Sequence, residues 1–288
     1  MLNVALGDRT GTTLAGLPRR VTLSHRAVAA LAERCGVELP WRTDAAGLAA
    51  ALGDRAPGAN GPDVTAELAA AGLLDGTGVA DEVVAAMTRL AASEVSVDLT
   101  LVLRRPSGAA AQLSAWHRLH GARVTTLTST VERAELGWSD IGWWPATVSA
   151  LVDVTVPPGG GRGPVPALCL PMELLLAAGT ALRERRDDLL PLLVDRFPDG
   201  VTVDGVVLDR GRVLAELAVL AGPPHGRLQA VVTGGTDRIG IVSWLLFPDG
   251  WRELVPLRAG RSPLVRVDRV APTALAARVA GLATRVRR

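Results

Sequence analysis

Polar and apolar residues alternate through 96–104. Val97, Leu99, Leu101 and Leu103 share one side, while Ser96, Asp98, Thr100 and Arg104 share the other. A period of two predicts a strand. Pro106-Ser107-Gly108 then turns the chain, and further strands are expected near 109–119, 122–128 and 131–136, with His120-Gly121 between the first two. Upstream the period changes. Val28, Leu31 and Cys35 follow helical spacing behind Ser24, a capping residue, and Gly36 stops the run. Asp63 and Asp81 read as caps for two more helices; in the second, Val83, Val84, Met87 and Leu90 share a face. A helix over 140–152 closes this half.

The second half follows a Pro/Gly connector at 154–166. Helices are expected near 170–185, 188–197 and 210–221, with Asp188 capping the middle one and Pro191 in its first turn. Three strands follow, RLQAVVT, RIGIVSWLLF and WRELVPL, then a strand near 264–268 and a helix over 272–286. RIGIVSWLLF is apolar on both faces, which predicts a central strand. Pro256 predicts that the strand at 251–257 lies near an edge.

The two halves repeat one another. Val83, Val84, Met87 and Leu90 find counterparts 130 residues later in Val213, Leu214, Leu217 and Leu220. Val97, Leu99 and Leu101 correspond to Leu228, Ala230 and Val232, and Val148 and Leu151 to Val279 and Leu282, at a shift of 131. Helix, strands, helix thus occurs twice, over about 20–153 and 167–286. The fold class expected is α+β: a pseudo-two-fold duplicated domain over 1–288, its halves fused through a central antiparallel sheet. Two separate small domains are the alternative, each with a thin core.

Composition narrows the function. Hydrophobic residues make up 48% of the 288, enough for a core without metals or disulfides. Thirty-one basic and 29 acidic side chains are interspersed, which gives no nucleic-acid footprint. No apolar run approaches the ~20 residues of a membrane span, and the first twenty residues do not read as a secretory signal. A cytosolic protein without stable membrane insertion is expected. Cys35 and Cys169 read as buried apolar thiols. His117 and His120 read as surface histidines, because no third metal ligand lies nearby. Gly159-Gly160-Gly161-Arg162-Gly163 lacks the Lys-Ser/Thr of a phosphate loop, and no carboxylate pair or nucleophile motif stands out. No cofactor is implied. Seven Trp stand beside two Phe and no Tyr. Trp143 and Trp144 are adjacent in a helix and cannot face the same way, so one of them belongs at a surface or a boundary between halves.

Three stretches carry a resemblance. VTLSHRAVAALAERCG followed by Pro40-Trp41, then TAELAAAGLLDGTGVADEVVAAMTRLAASEVSVDLTLVL, and finally GIVSWLLFPDGW with RVDRVAPTALAARVAGL, together resemble the EspG proteins of actinobacterial ESX (type VII) secretion. The resemblance spans about 20–286 and rests on the order of many modest matches. It implies a central antiparallel sheet with two helical bundles, and a cytosolic chaperone, not an enzyme. Such a chaperone covers the apolar tip of PE–PPE-like heterodimers, or of other ESX substrates, and delivers them for export. Carried onto this chain, the contact positions are the hairpin loop Arg104, Arg105, Pro106, Ser107 and Gly108; the sheet residues Trp116, Arg118, Arg238 and Trp244; and Leu189, Leu192 and Leu193 of the second bundle. Two other readings compete. An enzyme would have a pocket between the halves, lined by His117, His120 and an acidic residue. A homo-oligomeric scaffold, such as a homodimer, would pair through exposed sheet edges.

Overall fold

The computed structural model describes residues 18–40, 63–76, 78–104, 109–154, 167–198, 200–235, 239–259 and 262–287. The first half runs β1 (Arg19–Leu23), α1 (His25–Cys35), α2 (Val64–Ala70), a small hairpin of β2 (Leu74–Asp75) and β3 (Gly78–Val79), and α3 (Asp81–Ala91). Four strands follow: β4 (Val95–Arg104), β5 (Ala110–His120), β6 (Arg123–Ser129) and β7 (Ala134–Asp140). A 3-10 turn then leads into α4 (Trp144–Ala150).

The second half repeats this series: β8 (Leu168–Pro171), α5 (Met172–Arg183), α6 (Leu190–Asp195), a hairpin of β9 (Thr202–Val203) and β10 (Val206–Val207), and α7 (Arg210–Leu220). It ends with β11 (Gly226–Gly234), β12 (Ile239–Phe247), β13 (Gly250–Ala259), β14 (Ser262–Val270) and α8 (Ala274–Arg287).

Twelve strands form one antiparallel sheet in the order β1-β7-β6-β5-β4-β11-β12-β13-β14-β8-β9-β10. The halves meet where β4 pairs with β11. In that ladder Leu99 lies opposite Ala230, its own repeat counterpart 131 positions later, so the pseudo-two-fold axis passes through this pair. One sheet face at the centre carries Val97, Leu99, Leu101, Leu228, Ala230 and Val242, all buried beneath α4 and α8. On the other face α1, α2 and α3 cover β5–β7 and β1, while α5, α6 and α7 cover β13, β14 and β8. Burying alternate apolar side chains at roughly 25 cal/mol per Å² drives each of these three packings.

Ser24 caps α1 by accepting from the Ala27 N–H. The Glu67 carboxylate accepts in turn from the Ser24 N–H and hydroxyl, tying α1 to α2. Gly36 ends α1 with a left-handed φ of 64°, a conformation that costs glycine nothing.

Several expectations are corrected. Asp81 opens α3 but does not cap it; Ala80 precedes the helix without a side-chain bond. Asp188 pairs with Arg186 and leaves Leu189 at the start of α6, although Pro191 does sit in the first turn. Residues 168–171 are a strand rather than a helix start, and the two small hairpins are additional. β13 is not an edge strand. Instead, β12 leaves it after the Trp244–Glu253 pair, so Pro256 faces a stretch paired to β14 alone and its missing N–H interrupts no ladder. His117 is wholly buried, because its parity in β5 places it with Leu113, Ala115 and Leu119 on the covered face. Cys35 and Cys169 are free thiols and only half-buried; burial pushes the Cys35 thiol up.

Candidate protein-interaction face

The bundles leave the middle of their own sheet face open. Four strands form its floor, and their ladder registers place side chains in rows across it. One row is Trp116, Asp98, Val231 and Ile241; the next is Arg118, Ser96, Thr233 and Ile239. Toward the other end lie Ser114, Thr100, Gln229 and Ser243, then Gln112, Val102, Arg227 and Leu245. Asp98, Thr100, Arg227 and Gln229 are exposed. Ile239 and Ile241 are 65% and 60% exposed, on a strand whose other side, Val242 and Trp244, is core. Isoleucines exposed side by side on an inner strand make this part of the floor a candidate contact surface. The two bundles stand at the flanks of this floor, and Trp116 and Leu245 pack partly against their apolar clusters.

The pseudo-two-fold sharpens this. It carries Ser114 onto Ile241 and Gln112 onto Ile239. The apolar patch is therefore not required by the architecture, since the equivalent positions in the first half are polar.

The positions expected from sequence fall in four environments. Arg104 is exposed at the end of β4, while residues 105–108 and Arg238 lie outside the described residues. Trp116 is half-buried on the floor, and Arg118 beside it is buried and ion-paired to Asp98. Leu192 is 65% exposed on α6, with Leu189 and Leu193 half-buried beside it. Trp244 is on the wrong face: it is fully buried against Trp251, ring centroids 6.1 Å apart, and offers no surface. The period-2 rule separates Trp244 from Ile241, and the isoleucines were the signal to follow. Trp143 and Trp144 divide as their adjacency requires, 47% and 3% exposed.

The residues an enzymatic cleft would need do not converge. The His117 Nδ1 accepts from the Trp144 indole N–H at 2.7 Å, inside the core. Burial, with Arg118 and then Arg20 nearby, pushes its pKa down to about 3, so the ring is neutral. His120 is at a turn beside Glu94. A cavity of about 440 Å³ lies elsewhere, between Trp251, Asp249 and Arg269. Among the described residues no three metal-binding side chains gather, and no helix is long and apolar enough to cross a membrane.

These features define a class: a duplicated α+β protein with one broad antiparallel sheet, open on one face between two helical bundles. The chain has the EspG fold. A solved structure that it matches is the type VII secretion system chaperone EspG5 of Mycobacterium tuberculosis, in complex with a PE25–PPE41 dimer. The match has a TM-score of 0.59 at 14% identity and covers 92% of this chain and 95% of that one. No protein-family model matches the sequence, and no curated protein matches it either.

Proposed function

We propose that this protein is a cytosolic chaperone that holds a secretion client, a PE–PPE-like heterodimer or another substrate of a type VII system, by the client's apolar tip. The observation that carries this reading is the pair Ile239 and Ile241, bare on the open floor of a chain with the EspG fold. A flat apolar patch between two bundles suits a helical tip, which would lose its own exposed apolar surface on docking. Trp116 supplies a half-buried aromatic anchor, of the kind that dominates binding energy at interfaces. Arg104, Arg118, Leu189, Leu192 and Leu193, with the loop 105–108 and Arg238, stand as the surrounding contact positions. Trp244 is withdrawn from that set because it is core. The work is binding, with no chemical step.

Co-expression with the PE–PPE-like pairs encoded in the same genome tests the reading. At least one pair is expected to co-purify with this chain and to stay in solution only in its presence. Failure of every such pair, and of every other substrate of the type VII system encoded in that genome, to be retained or solubilised would overturn it.

A further inference from the structure

The open floor is chemically polarised along its strands. At one end lie Val231, Ile239 and Ile241. At the other lie Arg227 and, one row beyond, Arg104, with the exposed His225 opposite it; the Arg104 N–H donates to the His225 carbonyl at 2.7 Å. Several surface arginines of this protein are neutralised by a carboxylate: Arg123 by Asp140, Arg186 by Asp188, Arg210 by Asp195, Arg266 by Asp268. On the floor itself Arg118 has Asp98. Arg104 and Arg227 are exposed, and among the described residues neither guanidinium has an ion pair or hydrogen bond. They are neighbours across the β4–β11 ladder and share the face with the isoleucines.

Here too the repeat shows what is particular. Arg227 corresponds to Ser96, and Arg104 to Gly235, at the shift of 131. The two-fold would by itself give a client two equivalent orientations on the floor. The apolar patch at one end and the positive charge at the other remove that equivalence.

We propose that the client docks in one orientation, with its apolar tip on Val231, Ile239 and Ile241 and an acidic segment of the same client over Arg104 and Arg227; this rests on the client-binding reading above. Val231 lies four positions beyond Arg227 on one strand, so the client's carboxylates lie about 13 Å from the centre of its apolar contact, at ~3.3 Å per residue. Apolar contact supplies most of the affinity. The charge pair fixes direction, speeds encounter and makes binding sensitive to salt.

The experiment uses the full chain and the client pair recovered by co-expression, with affinity measured from low to high ionic strength. Exchanging Arg104→Glu and Arg227→Glu together is expected to weaken binding about tenfold or more at low salt and to reverse its salt dependence, so that binding tightens as salt screens the repulsion. Arg104→Gln with Arg227→Gln is expected to flatten the salt dependence with a smaller loss. Both arginines are exposed, so an unchanged melting temperature confirms that the variants fold. Wild-type affinity with wild-type salt dependence in the Glu variant, while Ile241→Asp abolishes binding, overturns the orientation but leaves the chaperone reading standing. If the wild-type chain binds no client pair at any ionic strength, the chaperone reading fails and this proposal falls with it.

Discussion

His117 and Ile241 show how one strand position decides a residue's role. Each is set by parity alone: odd positions of β5 from Leu113 to Leu119 enter the core, and odd positions of β12 from Ile239 to Ile241 meet solvent. Nearness to the His120-Gly121 turn makes His117 read as a surface residue, although its alternation with Leu113, Ala115 and Leu119 was legible. Buried and neutral, it carries a pH dependence. Above about pH 6.5 neither folded nor unfolded chain protonates this ring; between about 6.5 and about 3 only the unfolded chain does. Stability therefore falls as pH drops through that window, at up to about 1.4 kcal/mol per pH unit from this group. His117→Gln keeps an acceptor for the Trp144 indole N–H and removes the titration. Its urea-unfolding free energy is expected to fall less steeply over the same range than that of the wild type. Identical slopes would show that His117 is not neutral in the core.

Among the elements, α8 lies tight against the sheet, and glycines make this approach feasible. A Cβ on Gly234 would stand 2.6 Å from the Val286 carbonyl oxygen, and one on Gly240 2.7 Å from Leu282 Cδ2. The first neighbour is helix backbone and cannot turn away; the second is the end of a flexible side chain. Gly234→Ala is expected to cost about 1–3 kcal/mol, visible as a lower melting temperature, and Gly240→Ala clearly less. Equal, negligible effects would mean that α8 does not sit against β11 as described. The main strands and helices were legible because each buries one face, which imposes a period on the sequence. The strand β8 and the hairpins β2–β3 and β9–β10 were not, since two to four residues are too few to show one. RIGIVSWLLF read correctly as an inner strand, but its second apolar face signified an uncovered surface rather than a buried one.

For the whole molecule, the repeat shift of 130–131 read from scattered apolar matches agrees with the central ladder, where Leu99 and Ala230, 131 positions apart, stand opposite one another. The duplication survives in buried positions: Val83, Met87 and Leu90 match Val213, Leu217 and Leu220, all core. It has been lost on the open floor, where Ser114 and Gln112 stand against Ile241 and Ile239. Core packing preserves a repeat because every member must fill its space; a surface for one client does not, because the client lacks the symmetry. The floor was thus illegible from the repeat itself and legible only in its exceptions. If those exceptions are the client site, one chain holds one client pair. Titration calorimetry of the co-purified pair into this chain and into its Ile241→Asp variant tests that most directly. The account predicts saturation at one pair per chain for the wild type and no detectable binding heat for a variant of unchanged melting temperature. Undiminished binding by Ile241→Asp would contradict it.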